Sequence, residues 1–401
     1  MRLTILAGSL LAGVLAATGL LHSTTAAGLR TADFSSFYAA GSIVLHGHRT
    51  DLYQPATQDP VLRSLLGGDY RFHEYFFHPP FEALWFAALA WLSFPHAYAA
   101  WTSINVFLLA ALPLILISCV ALIARKPHLG LLGFVFFPAL ATLKLGQDSI
   151  VLLVVMSAAY CLMRDKRPLA AGLVLALASI KFQFLIVLAP LLLLERRFRV
   201  LAGLAGGVLG LIAVSVWTIG FRQVPDYVHF VLNANVNQEE LKQVNVRGLL
   251  FALGIQHLMF WSALVSVAVL AVGVLVAVKR HPHQEQLAFA AYLTIAVLAS
   301  PYAHFPDVAV LLLPILLAVD WLARNPLNRM SAQLLAASIG LMFLFPYVLI
   351  VVWPHYSRIY LMFPAVLLFL IALLLEIHAT RMQGGDPALD GTAVAQGNSA
   401  Y

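Results

Sequence analysis

An ionisable side chain inside an apolar run is costly to keep there, so each one marks a place to look for chemistry. Asp33 closes the first apolar run in RTADFSSFYAAG, with Phe37 and Tyr38 one helical turn further on. Lys144 precedes Gly146-Gln147-Asp148, and Lys181 interrupts SIKFQF at the joint of two short apolar runs. His304 and Asp307 sit in SPYAHFPD, at the mouth of a later run. Gathered on one face of a bundle, a carboxylate, two lysines and a histidine would form a site for an anionic headgroup. Each residue also has a plainer reading. Asp33, with Thr31 as a rival, could cap a helix among interfacial aromatics. Lys181 could snorkel to an interface. Lys144 and Asp148 could form an i, i+4 ion pair, and Asp307 could simply favour a helix dipole.

The elements that must position these residues are apolar helices. Of 401 residues, 61% are hydrophobic and 10% charged, against about 25% charged in soluble domains. This excludes a chain of soluble domains and predicts an all-α integral membrane protein with one polytopic domain over residues 1–380 and a short polar tail, 381–401. The net charge of +6 fits cytoplasmic Lys/Arg loops rather than nucleic-acid binding. Cys119 and Cys161 both lie in apolar runs, which points to neither a disulfide framework nor a zinc site. Met1–Ala27 has the look of a signal peptide but is taken as an uncleaved first span.

Apolar runs follow at Trp101–Ala124, Leu129–Leu143, Ile150–Met163, Leu169–Ile180, Phe182–Leu194 and Val200–Gly220, then at Leu249–Val278, Leu287–Ala299, Val308–Ala323, Leu334–Val352 and Tyr360–Ile377. Several fall short of the roughly 17–25 residues of a comfortable span, as expected where helices end at polar residues around a cavity. If the chain crosses at each run, the clusters Arg125/Lys126, Arg164/Lys166/Arg167, Arg196/Arg197/Arg199, Lys279/Arg280, Arg324/Arg329 and Arg381 share one side. The result is about twelve spans with both termini cytoplasmic. It requires Pro79–Phe94, which opens on a Pro pair, to lie in the first outer loop without crossing. That loop, about residues 23–97, would carry short juxtamembrane helices. Its histidines His46, His48, His73 and His78 show no metal-ligand spacing.

Taken in order, DFSSFYAAGSIVLHGHRTDLYQP, FFHPPFEALWFAALAWLSFPHAYAAWTSIN, KLGQDSIVLLV, RPLAAGLVLALASIKFQFLIVLAPLLLLERRFR and SPYAHFPDVAVLLLP resemble glycosyltransferase family 87. These are membrane enzymes of the GT-C superfamily that use polyprenyl-phosphate sugars. The resemblance runs over about Asp33–Pro314. It departs from the family where FFHPP replaces a tyrosine before the Pro pair and where SPYAHFPD replaces an aromatic–Asp pair. The resemblance implies a GT-C type multi-span bundle in the inner (plasma) membrane with its active site extracytoplasmic. The enzyme would move a sugar, mannose or similar, from a polyprenyl-phosphate donor to an acceptor glycan or glycolipid. Transfer would invert the anomeric centre, with Asp33 as catalytic base and neither metal nor other cofactor.

The residues suit that chemistry. A lipid phosphate is already a good leaving group, so one carboxylate taking the acceptor proton suffices. Cations near the departing phosphate stabilise its charge. Lys181 is the first choice for this, ahead of His304 and Lys144. Ser35, Tyr38, His78, Gln147, Asp148, Tyr302 and Asp307 complete the expected substrate-binding set. The rival readings are a secondary transporter, which would usually show internal repeats, and a non-catalytic or ligase-type protein of envelope glycan assembly.

Overall fold

The computed structural model describes residues 33–67, 74–233, 243–255, 284–325, 327–352 and 358–383. The first apolar run, His73, most of the run 249–278, Lys279/Arg280, the side chain of Arg381 and the tail from residue 384 lie outside the described residues. Among the described residues the chain is helical. Its only bridge of β type is an isolated one between Gln243 and His304.

Three short α-helices come first among the described residues. Helix α1 (Phe34–Leu45) is followed by α2 (Pro55–Leu66), which has Pro in its first turn. α3 (Pro80–Leu89) starts directly after Pro79, where a ring with fixed φ and no N–H costs nothing. α1 lies so close to α3 that a Cβ on Gly41 would fall 2.3 Å from the backbone carbonyl carbon of Phe86. Phe34, Phe37, Phe86, Tyr98 and Trp101 bury an aromatic core beside this contact, with the Phe37 and Phe86 rings stacked at 4.7 Å. The ten residues of α3 make about 15 Å of helix, half of a hydrocarbon layer of about 30 Å. The next helix, α4 (Phe94–Leu116), restarts at the same end, where Phe94 lies against Phe34 at 5.9 Å.

The bundle then runs through α5 (Phe137–Leu145), α6 (Ser149–Arg164), α7 (Pro168–Leu175), α8 (Phe182–Leu194), α9 (Phe198–Ile219), α10 (Val224–Asn233) and α11 (Val246–Ala252). It closes with α12 (Glu285–Ala299), α13 (Leu312–Arg324), α14 (Met330–Val352) and α15 (Met362–Gln383). α12 is its axis, buried from Gln286 to Ala299. Six helical stretches are long and apolar enough to cross a bilayer. A bent pair, Pro127–Phe134 with α5, could make a seventh. One of the six, Pro168–Leu194, counts 27 residues and would be about 40 Å long if straight. Yet Pro168 at its start and Arg197 just beyond its end line the same open pocket. The stretch therefore turns back at Lys181, where a 3-10 segment, Ala176–Lys181, gives way to α8. α7 leaves in close contact with α9, where Gly172 and Gly203 let the backbones meet.

Among the described residues, Arg164, Arg197, Arg324 and Arg329 gather at one end of the bundle. Arg164 and Arg197 both reach Glu285, at 3.8 and 2.6 Å. Next to it, Gln286 donates to Asp320 at 2.9 Å, which also takes Arg324 at 2.6 Å and the backbone N–H of Leu122, near Arg125, at 2.6 Å. Trp321 and Arg329 meet on Glu376. The sequence expectation for the cysteines is overturned here, since Cys119 and Cys161 form a disulfide. α4 packs beside α6, so Cys119, in the turn just past the end of α4, meets Cys161 on α6 although the two are far apart in sequence.

Candidate active site

At the opposite end, turns deliver polar groups into a cleft of ≈ 630 Å³, counting the space open to solvent. Its walls include Ser36, His78, Gln147, Lys181, Tyr302 and Asp307.

The turn after α5 is the first positioning device. Gly146 ends α5 with φ +69°, a left-handed conformation that costs glycine nothing. A Cβ there would also lie 2.6 Å from Phe34 Cβ. The turn can thus press against the start of α1. Trp101 Nε1 donates to the Gly146 carbonyl at 2.9 Å and the Tyr98 hydroxyl to that of Lys144 at 2.7 Å. Gln147 is held against Asp33, to whose Oδ2 it donates at 2.7 Å. Asp33 stands at the N-cap of α1 but makes no side-chain capping bond. The plain capping reading of Asp33 therefore fails, because its carboxylate is turned toward Gln147.

Lys181 is the second. It does not snorkel, being 6% exposed. Its Nζ lies 2.6 Å from Asp307 Oδ1, 2.9 Å from Asp148 Oδ1 and 3.3 Å from Gln147 Oε1. The i, i+4 pairing of Asp148 with Lys144 does not form; Lys144 is exposed because α5 ends at Leu145 and Gly146 reverses the chain. Asp307 is more than a charge on a dipole. It takes the Ser149 hydroxyl at 2.9 Å and, through Oδ2, the backbone N–H of His304 at 2.9 Å. A chain of contacts thus runs Asp33, Gln147, Lys181, Asp307.

The third device is the stretch before α3. The Tyr53 hydroxyl holds the His78 carbonyl at 2.6 Å, and the Phe37 ring packs edge-on to the imidazole at 4.8 Å. His78 Nδ1 reaches Glu82 Oε2 at 2.9 Å and lies 3.6 Å from Asp148 Oδ2. Burial alone would lower the pKa of His78, but Glu82 and then Asp148 outweigh it and raise it. Burial pushes Glu82 up to about 7; His78 opposes this and Asp148 adds to it.

Of the residues expected from sequence, the structure brings Asp33, His78, Gln147, Asp148, Lys181, Tyr302, His304 and Asp307 to this end. Ser35 is buried and Ser36 faces the cleft in its place. Tyr38 spends its hydroxyl on the Leu92 carbonyl at 2.8 Å. Sequence reasoning missed Glu82, Ser149 and Arg247, whose guanidinium lies 5.5 Å from the centre of the Tyr302 ring. Glu82 carried a signal all the same: an acid in an apolar run, four residues after His78.

The model of glycosyltransferase family 87 matches residues 76–301. The match takes in the His78–Glu82 stretch, the Gly146–Asp148 turn and Lys181, and leaves Asp33, His304 and Asp307 outside, so it is shorter than the resemblance drawn from the motifs. No curated protein and no solved structure matches the chain.

Proposed function

Since the chain belongs to glycosyltransferase family 87, and is therefore a membrane glycosyltransferase, we propose that the cleft transfers a sugar from a polyprenyl-phosphate donor to an acceptor hydroxyl with inversion. Asp33 is the general base. Its carboxylate takes the acceptor proton as the oxygen attacks the anomeric carbon, and the C–O bond to phosphate breaks on the opposite side. Gln147 orients Asp33 and links it to the lysine. Lys181 faces the departing phosphate, with His304 and Tyr302 beside it. Mannose or a similar hexose is the sugar, and a glycan or glycolipid is the acceptor.

The observation that carries this reading is the side chain of Asp33. A carboxylate at a helix N-terminus usually caps it; this one is instead aimed at Gln147, one hydrogen bond from Lys181. The gathering of Arg164, Arg197, Arg324 and Arg329 at the other end supports a cytoplasmic basic face, an extracytoplasmic cleft and the twelve-span arrangement in the inner membrane. The test is incubation of the purified protein with a panel of polyprenyl-phosphate sugars and an acceptor lipid extract, scoring polyprenyl phosphate released. Release with at least one donor, lost in Asp33→Asn, is expected; no release with any donor would overturn the assignment.

A further inference from the structure

Beside Lys181, His78, Glu82 and Asp148 each offer one ligand atom, all within 4.8 Å of one another. They come from three pieces of chain: the stretch before α3, the first turn of α3 and the turn before α6. Glu82 and Asp148 are fully buried, whereas His78 opens on the cleft.

The cluster is short of positive charge. Glu82 Oε1 and Asp148 Oδ2 are buried with no hydrogen-bond partner among the described residues, and Asp148 Oδ1 faces only Lys181 Nζ, at 2.9 Å. Lys181 stands at ion-pair distance from Asp148 but is shared with Asp307, which it approaches more closely. A buried carboxylate oxygen left without a partner carries its desolvation cost uncompensated. The spacing fits a metal. With bonds of about 2.1 Å, neighbouring ligands of an octahedral ion are about 3 Å apart. His78 Nδ1 is 2.9 Å from Glu82 Oε2 and 3.6 Å from Asp148 Oδ2. One imidazole with two carboxylates suits a divalent ion of the Mn²⁺ kind, and three protein ligands leave positions open toward the cleft.

We propose that His78, Glu82 and Asp148 bind a divalent cation of the Mn²⁺ class at the wall of the cleft. This runs against the metal-free expectation drawn from the family resemblance. Asp148 bridges, with Oδ2 toward the ion and Oδ1 toward Lys181. What the ion does there rests on the glycosyl-transfer reading; that it binds does not. With the donor present, it takes a phosphate oxygen as a further ligand. It then stabilises the charge that arrives when the anomeric C–O bond breaks and its electron pair passes to the phosphate.

The test uses the full-length protein in nanodiscs, stripped with a chelator and titrated with Mn²⁺, with free Mn²⁺ read by electron paramagnetic resonance. Wild type should take up one equivalent saturably. Glu82→Gln and Asp148→Asn should bind more than about 10-fold more weakly, and Asp51→Asn, on the same outer loop, should bind as wild type does. Absence of saturable binding by wild type would overturn the proposal and leave Glu82 and Asp148 sharing a proton. Unchanged affinity in Glu82→Gln would overturn it too. The two readings separate cleanly. Stripped protein that transfers sugar at full rate sinks the cation's part in transfer and spares the transferase, while one bound Mn²⁺ with no polyprenyl phosphate released spares the cation site and sinks the transferase.

Discussion

The two ends of the bundle bury the same kinds of residue and use them differently. At the basic end Glu376 is fully buried, yet both its oxygens are satisfied. Trp321 Nε1 donates at 3.0 Å, Arg329 at 2.5 Å and the Ser331 hydroxyl at 2.6 Å. Asp320 is likewise surrounded, by Gln286, Arg324 and the Leu122 N–H. At the cleft end Glu82 is just as buried, and one of its oxygens has no hydrogen-bond partner among the described residues; Lys181 is divided between two carboxylates. Satisfied burial holds helices together, whereas a charge imbalance kept beside an open cleft is a site waiting for a ligand. Position along the helices follows the same division. The basic-end groups stand on helices and just past their ends, and the cleft groups stand on turns whose shape is forced by Gly146, Pro79 and the 3-10 break at Lys181.

The largest effect should come from removing the lysine. Lys181→Met strips the countercharge from Asp148 and Asp307, and breaking a buried pair this way costs about 3–5 kcal/mol. Thermal unfolding in detergent should show that loss, and transfer should fall with it. Adding Asp307→Asn should restore part of the stability without restoring transfer. Recovery of transfer in the double variant would mean that Lys181 acts only as a structural countercharge.

Arg329→Met sharpens the contrast from the other end. It should also cost about 3–5 kcal/mol, since Glu376 loses its charged partner, but transfer per folded molecule should stay at the wild-type level. A fall in the specific rate would erase the division between the two ends. The smallest effect is expected at Tyr38. Tyr38→Phe removes a hydroxyl committed to the Leu92 carbonyl, worth about 1 kcal/mol of stability. The Michaelis constant for the donor should not move, and a raised one would place the hydroxyl on substrate.

The sequence made some of this legible and hid the rest for identifiable reasons. Lys181, Asp148 and Asp307 stand out because ionisable groups are rare in apolar runs. Their mutual pairing does not, since Lys181 and Asp307 lie 126 residues apart and Asp33 and Gln147 lie 114 apart. Ser35 is the serine expected from sequence and Ser36 the one that lines the cleft, since the rotational phase of α1 is set by Gly41 against α3, a tertiary contact. Lys144 looked like a partner for Asp148 only if one helix ran through Gly146, and the left-handed glycine ends it. The cysteine bond was hidden because apolar surroundings say nothing about which helix packs opposite. The hairpin at Lys181 is visible as a polar residue at the joint of two short runs, although length alone would allow a single span.

The central claim is that Asp33 is the base. Asn is nearly isosteric with Asp and its amide oxygen can still accept from Gln147 Nε2, so Asp33→Asn keeps the shape and that contact and loses the negative charge and the ability to take a proton. Measured as sugar transferred per folded molecule at saturating donor, the variant should lose roughly 100-fold or more, the scale of general-base loss, with its unfolding temperature and donor binding near those of wild type. Transfer at the wild-type rate would contradict the account and leave Asp33 as no more than the residue that precedes α1.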